Sequence, residues 1–311
     1  MRMQTLIGII IVILFFVLWI VHLYRSYSKL LPKPIYKERI ELPKWQNWPD
    51  TEATITWIGH STVLIRMCDM YILTDPVFTK RVGVRLGWFK IGPKRFSDPA
   101  LYPDELPPID VVLLSHAHMD HLDLQSLRKV VTNRTMVVTA QNTGKVLKFI
   151  KAKEIIELGP NESLRFENGL EVHTVLVNHW GNRFPWNKRF GWTGYLIDGG
   201  DARVFFAGDT SYVDTFSSLR DEFGEIDVAC IPIGAYKPES FLEAHCTPEQ
   251  AWAMFLDSGA KWLIPIHWNT FVLSQEPVEE PINRLLLAAK SDADRIVIRQ
   301  QGQVFTVREI L

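Results

Sequence analysis

The apolar run Val111-Val112-Leu113-Leu114 passes straight into Ser115-His116-Ala117-His118-Met119-Asp120-His121. No other part of the chain constrains the fold as tightly. An apolar strand has to be buried, yet this one must carry three imidazoles and a carboxylate to its end. Two residues apart in an extended segment, His116 and His118 point the same way. As the chain turns, Asp120 and His121 face a second point. Three of the 9 histidines fall within six residues, which argues against a solvated turn. Imidazole with carboxylate suits Zn²⁺, Fe or Mn²⁺. The junction reads as a metal site at a strand end.

Three later positions join it. His179 follows the apolar stretch ending at Val177, Asp209 closes Phe206-Ala207-Gly208-Asp209-Thr210, and His267 follows Trp262–Ile266. Each stands just beyond a strand, where a β scaffold presents function. A lone histidine there is ordinarily a satisfied core residue. Three such positions beside the cluster favour ligands.

The rest of the chain alternates short apolar strands with turn signals. Thr54–Ile58, Thr62–Arg66 and Tyr71–Thr74 read as a meander. Val111–Leu114, Met136–Thr139, Leu170–Val177, Thr193–Ile197, Arg203–Phe206, Val228–Ile231, Trp262–Ile266, Arg295–Ile298 and Val304–Val307 also read as strands. Thr247-Pro248-Glu249-Gln250 is a capping box with proline at the first helical position, and Gly259 closes the helix. One α/β domain over residues 51–311 fits this pattern.

The N-terminal region differs in kind. Leu6 to Val21 is apolar throughout, and no charged residue lies between Met3 and Tyr24. Such a run is long enough for a membrane-spanning helix. It exceeds a usual signal-peptide core and lacks a small-residue cleavage site after it. Residues 1–25 are therefore expected to form a transmembrane anchor, and the proline-containing residues 26–50 a juxtamembrane linker. Only Arg2 precedes the run, whereas Arg25, Lys29, Lys33, Lys37 and Arg39 follow it. Basic flanks stay cytoplasmic. The expectation is a single-pass membrane protein with its catalytic domain in the cytoplasm, its basic segment against the lipid bilayer.

Composition excludes some functions. Lys+Arg of 34 against Asp+Glu of 35 leaves a net charge of -1, which disfavours a bulk nucleic-acid grip, so no nucleic-acid partner is expected. The 3 cysteines show no CxxC spacing and point away from a disulfide framework.

The order His-x-His-x-Asp-His, then His, then Gly-Asp-Thr, then His resembles the metallo-β-lactamase superfamily. The resemblance implies a four-layer αββα sandwich with a dinuclear centre at one edge. It implies two Zn²⁺ ions, one held by His116, His118 and His179, the other by Asp120, His121 and His267. Asp209 would bridge them. His118 in place of an acidic residue argues against the di-iron flavoprotein branch. Asp209 in place of cysteine argues against the antibiotic-hydrolysing branch.

Further segments extend the likeness: Gly59-His60-Ser61-Thr62, Leu73-Thr74-Asp75-Pro76-Val77-Phe78, Gly92-Pro93-Lys94-Arg95-Phe96, Leu106-Pro107-Pro108-Ile109-Asp110, Asn178-His179-Trp180 and Ile266-His267-Trp268. In this order they are similar to the N-acyl-phosphatidylethanolamine phospholipase D family. That similarity implies a zinc phosphodiesterase releasing N-acylethanolamine and phosphatidic acid from a membrane phospholipid. A hydroxide shared by two metals would attack phosphorus. Asp120 would orient it, and His245 would serve the leaving oxygen. His60 and Asp75 would support the ligands through hydrogen bonds. Trp180, Arg183, Trp186, Lys188, Arg189 and Lys237 are candidates for substrate contact, with Lys94 behind them. His173 reads as structural and His22 as interfacial. The resemblance admits a homodimer. A lactonase or small phosphoester hydrolase, an RNA-processing nuclease, and a non-enzymatic metal-binding membrane module are the alternatives.

Overall fold

The computed structural model describes residues 3–184 and 186–307. Arg2 and Pro185 lie outside them, as do residues 308–311 of the expected domain. Helix α1 (Met3–Ser28) takes up the apolar N-terminal run. It does not bear out the expected anchor: among the described residues, no helix is long and apolar enough to cross a membrane. With the span goes what its flanking charges implied, a single-pass membrane protein with a cytoplasmic domain.

The segment after α1 lies against the domain. The Lys37 amide donates to Phe96 O at 2.7 Å, Arg39 Nη1 to Glu105 Oε2 at 2.5 Å and Trp45 Nε1 to Glu105 O at 2.8 Å. Trp48 is buried. Much of the expected linker is therefore fixed by specific bonds.

The domain opens with β1 (Thr54–Gly59), β2 (Thr62–Met67) and β3 (Met70–Thr74) as an antiparallel meander. A separate hairpin follows, β4 (Val84–Leu86) with β5 (Phe89–Ile91). Then β6 (Val111–Leu114) pairs parallel with β3. Helix α2 (Leu124–Val130) leads to β7 (Met136–Ala140) and β8 (Glu154–Leu158). The second sheet collects β9 (Ser163–Arg165), β10 (Glu171–Val175), β11 (Gly194–Asp198) and β12 (Arg203–Phe206). Helix α3 (Leu219–Phe223) precedes β13 (Val228–Pro232), and α4 (Pro248–Asp257) precedes β14 (Trp262–Ile266). Helix α5 (Glu280–Ala289) and β15 (Val304–Thr306) close the chain. The sheets run β15-β1-β2-β3-β6-β7-β8 and β14-β13-β12-β11-β10-β9.

Strand β6 shows how the layers arise. Side chains alternate across a strand, and Val111 and Leu113 join the core between the sheets while Val112 and Leu114 join the cluster under α2. All four are fully buried. A strand apolar on both faces needs cover on both, and each such side chain adds roughly 1.5–3 kcal/mol when buried. Trp252, Met254 and Phe255 of α4 and Ile282 and Leu285 of α5 cover the second sheet. The result is the expected αββα sandwich.

The capping box forms as read: Thr247 Oγ1 accepts from the Gln250 amide at 3.2 Å, and Gln250 Oε1 from the Thr247 amide at 2.9 Å. One expected strand does not form. Lys290–Arg295 is a 3₁₀ helix and Ile296 makes a single bridge to Leu263. Arg295 instead donates to Ala260 O and Lys261 O, which turns the chain there. Leu170–Val177 shortens to Glu171–Val175, releasing the chain towards His179.

Candidate metal centre

Several carboxyl ends of strands supply the site. His116 stands two residues past β6, Asp209 three past β12, and His267 follows β14 directly. The cluster loop turns because the amides of His121 and Leu122 both donate to His118 O. Gly208 lets Asp209 approach: its φ is 64°, and a Cβ there would lie 2.7 Å from Ser115 Cβ. His60, Asp75 and His267 adopt left-handed backbone at φ 55°, 32° and 61°, a conformation that costs about 1–3 kcal/mol for such residues. It is held by bonds: the His267 amide to His60 O at 3.0 Å, the His60 amide to Thr270 Oγ1 at 2.8 Å, and the Asp75 amide to Leu113 O at 2.9 Å.

His116, His118 and His179 form one tight group. His118 Nδ1 lies 2.8 Å from His116 Nε2 and 3.2 Å from His179 Nε2. Protons on the far side of two rings settle their tautomers. His179 Nδ1 donates to Ala244 O at 2.9 Å. Ser115 Oγ donates to Asp75 Oδ2 at 2.5 Å and accepts from His116 Nδ1 at 2.9 Å. Both Nε2 atoms therefore aim lone pairs at the same point as His118 Nδ1. One His118 proton cannot satisfy two acceptors, whereas a cation satisfies all three.

His60, Asp120, His121 and His267 form a second group. Asp120 Oδ2 lies 3.2 Å from His60 Nε2, 3.6 Å from His267 Nε2 and 3.8 Å from His121 Nε2. Asp209 sits between the groups. Its Oδ2 is 3.1 Å from both His121 Nε2 and His267 Nε2, 3.8 Å from His179 Nε2 and 4.0 Å from His245 Nδ1. Those approaches lack hydrogen-bond alignment: His121 Nε2, His267 Nε2, His245 Nδ1 and Asp209 Oδ1 are buried with no hydrogen-bond partner. Buried polar atoms are rarely left so. The donor set fits metal ions.

The electrostatics agree. Burial would raise the carboxyls of Asp120 and Asp209, but the surrounding imidazoles, His121 foremost, hold both well below the usual range. Burial opposes charge on His267, yet Asp209 first and then Asp120 lift it to about 9. His118 is pushed down to about 4 by burial and then His179, and His60 to about 3 by burial and then His267. The buried carboxylate of Asp209 and the half-buried one of Asp120 thus draw positive charge into this space.

The other expected residues divide. Asp75 is fully buried and accepts from His121 Nδ1 at 2.7 Å and from the Ser115 amide at 2.8 Å. His245 faces Asp209 and stacks on His267 with ring centroids 5.3 Å apart; burial pushes it down to about 3. Trp180 is 44% exposed and stacks on His179 at 4.8 Å. Trp186 is exposed and stacked on Phe184, and Lys188 and Arg189 are exposed. Arg183 spends one nitrogen on the metal loop: Nη1 donates to Ala117 O at 3.0 Å and Leu122 O at 2.8 Å. Lys237 is ion-paired with Glu280 at 2.7 Å. His173 pairs with Glu171 at 3.2 Å, and His22 lies exposed on α1. Ser115 was missed: a serine before a histidine is too common to signal a relay to Asp75.

The Beta-lactamase superfamily domain matches residues 70–268. The chain is 31% identical over 255 residues to N-acyl-phosphatidylethanolamine-hydrolyzing phospholipase D 1 of Caenorhabditis elegans, covering 76% of this chain and 70% of that protein. It is 32% identical over 259 residues to an uncharacterized protein of Mycobacterium tuberculosis strain H37Rv, covering 81% of this chain and 68% of that protein. The isothiocyanate hydrolase from Delia radicum gut bacteria shares its fold, with a TM-score of 0.66 at 16% identity over 81% of this chain and 98% of that one.

Proposed function

The chain belongs to the beta-lactamase superfamily as a metal-dependent hydrolase, and on that premise we propose a zinc phosphodiesterase of phospholipase D type. Its substrate is an N-acyl-phosphatidylethanolamine-like lipid and its products are N-acylethanolamine and phosphatidic acid. The observation that carries this is Asp209, set within 4 Å of imidazoles from both ligand groups. The 31% identity to a phospholipase of that specificity supports the substrate class.

We assign His116, His118 and His179 to one Zn²⁺, Asp120, His121 and His267 to a second, and Asp209 to both. Bound there, the ions supply Lewis acidity and a water of lowered pKa. Asp120 would accept a hydrogen bond from the attacking water and orient it towards phosphorus. The water oxygen would add to phosphorus as the phosphorus–oxygen bond to the ethanolamine breaks, and the proton the water gives up would end on the leaving oxygen. His245 serves that oxygen. With its pKa pushed down to about 3, its neutral ring acts as a hydrogen-bond donor, not as an imidazolium acid. Trp180 and Trp186, both exposed, give the acyl chains an apolar wall. Lys188 and Arg189, both exposed, are the cations we assign to the phosphate, since Lys237 is ion-paired with Glu280 and Arg183 Nη1 is bonded to the metal loop.

The test is to present purified protein with N-acyl-phosphatidylethanolamine vesicles, a lactone and a soluble phosphodiester, each with and without chelator. Phosphatidic acid formed from the lipid, lost on chelation and restored by Zn²⁺, is expected. Lactone or soluble-diester turnover without any phosphatidic acid rejects the lipid assignment.

A further inference from the structure

A groove of about 470 Å³ lies beside the β4–β5 hairpin, and none of the assigned metal ligands lines it. Six cations do: Lys80, Arg81, Arg85, Lys90, Arg95 and Lys129. Its one carboxylate, Asp98, is already engaged, since Tyr36 Oη and Tyr102 Oη donate to Asp98 Oδ1 at 2.5 and 2.7 Å. We infer that this groove is a second ligand site, built for a phosphate ester and separate from the metal centre.

The cations come from different parts of the chain, so no single loop accounts for their convergence. Lys80 and Arg81 come from the stretch between β3 and the hairpin, Arg85 and Lys90 from its two strands, Arg95 from beyond it, and Lys129 from α2. Lys90 is paired with Asp123 at 2.8 Å. Lys80 and Lys129 are exposed, with no ion pair among the described residues. Arg95 is 3% exposed, donates from Nη2 to Val77 O and from Nε to Thr79 O, and keeps a buried Nη1 with no hydrogen-bond partner. Arg95 also lies over the Phe271 ring at 4.8 Å; burying a guanidinium is costly unless an anion offsets it, and Asp98 is the one carboxylate lining the groove. The chain beyond residue 40 is net acidic, which makes such a concentration of positive charge the more specific. A phosphate ester brings close to two negative charges and several acceptor oxygens, and arginine forks match them. Tyr36, Tyr102 and Trp88 stand beside the cations and offer ring faces to the organic part of the ester. The volume suits a small ligand or one headgroup. Both a soluble phosphate ester and a phosphatidate headgroup present this chemistry.

Titration of the protein with glycerol 3-phosphate, and cosedimentation with phosphatidylcholine vesicles with or without phosphatidate, separate the two sources. The expected result is binding that survives chelator and weakens at least tenfold in Lys80→Glu/Lys129→Glu. In metal-loaded protein the same pair should remove one of two binding events. A Lys151→Glu/Lys153→Glu pair, exposed and remote in sequence from the groove, should leave binding unchanged. Tight binding of the soluble ester marks a free ligand; sedimentation with phosphatidate vesicles alone marks a headgroup. The inference is overturned if neither probe binds outside the metal centre, if the groove variant matches wild type, or if both charge pairs weaken binding equally. It does not depend on the reaction assigned to the metal centre.

Discussion

His121 donates its Nδ1 proton to Asp75 Oδ2 at 2.7 Å, and that bond aims its Nε2 at Asp209. Asp75 also accepts from Ser115 Oγ, which accepts in turn from His116. One buried carboxylate thus orients an imidazole in each proposed zinc site. Removing such support typically costs 10–100-fold in metal affinity. Asp75→Ala is expected to weaken both Zn²⁺ ions to that extent, read by competition with a chromogenic chelator. Asp75→Asn, which keeps the shape but loses charge, should fall between. Unchanged affinity in the alanine variant would remove Asp75 from the centre.

Gly208 gives a backbone prediction. Its φ is 64°, and a Cβ at this position would stand only 2.7 Å from Ser115 Cβ, which leaves no room for alanine. Alanine where φ is positive destabilises by more than about 1 kcal/mol, which for a domain of this size is a loss of several degrees in Tm. Gly208→Ala should therefore melt earlier and bind less Zn²⁺, because Asp209 moves with it. Differential scanning calorimetry with metal analysis checks both.

The cluster of candidate metal ligands was legible in sequence because its residue types are rare and its spacing tight: His116, His118, Asp120 and His121 lie on one short loop. The strands that present them were legible from apolar runs, β6 and β12 to the residue. What failed did so for physical reasons. Helix α2 escaped notice because it is 7 residues long and starts just after the cluster, capped by Asp123. Strand β8 carries glutamates at Glu154 and Glu157 that mask it. Sequence could not show that Arg183 Nη1 is bonded to Ala117 O and Leu122 O or that Lys237 pairs with Glu280, because those partners are distant in the chain. The apolar run of α1 was long enough by residue type, yet among the described residues no helix meets the length and apolarity of a membrane span.

The histidines set opposing pH limits in chelator-treated protein. His118, His60 and His245 have folded values of about 4, 3 and 3, below the unfolded value near 6.5. As pH falls from 6.5 towards 3, the unfolded chain binds protons that the fold refuses, so stability is lost. His267 runs the other way. Raised to about 9, its contribution is complete below about 6.5 and disappears as pH rises through 9. The Tm of the chelated protein is therefore expected to peak near neutrality and fall on both sides. His118→Gln should flatten the acid limb. A Tm that does not change across the range would contradict this account.

Arg183 provides the sharpest separation between holding substrate and holding the metal loop. Its guanidinium donates to Ala117 O and Leu122 O, which bracket His118, Asp120 and His121. Both bonds leave the one nitrogen Nη1; a lysine chain is one bond shorter and lacks the planar guanidinium, so its Nζ does not reach the point between the two carbonyls. Arg183→Lys is expected to lower kcat and metal affinity together, about tenfold, while leaving KM for the lipid within about twofold. Excess Zn²⁺ should restore part of the lost kcat. Steady-state kinetics at two zinc concentrations decide the matter. A KM that rises at least tenfold with kcat unchanged would return Arg183 to the phosphate, because uniform binding and not loop geometry would then have been lost.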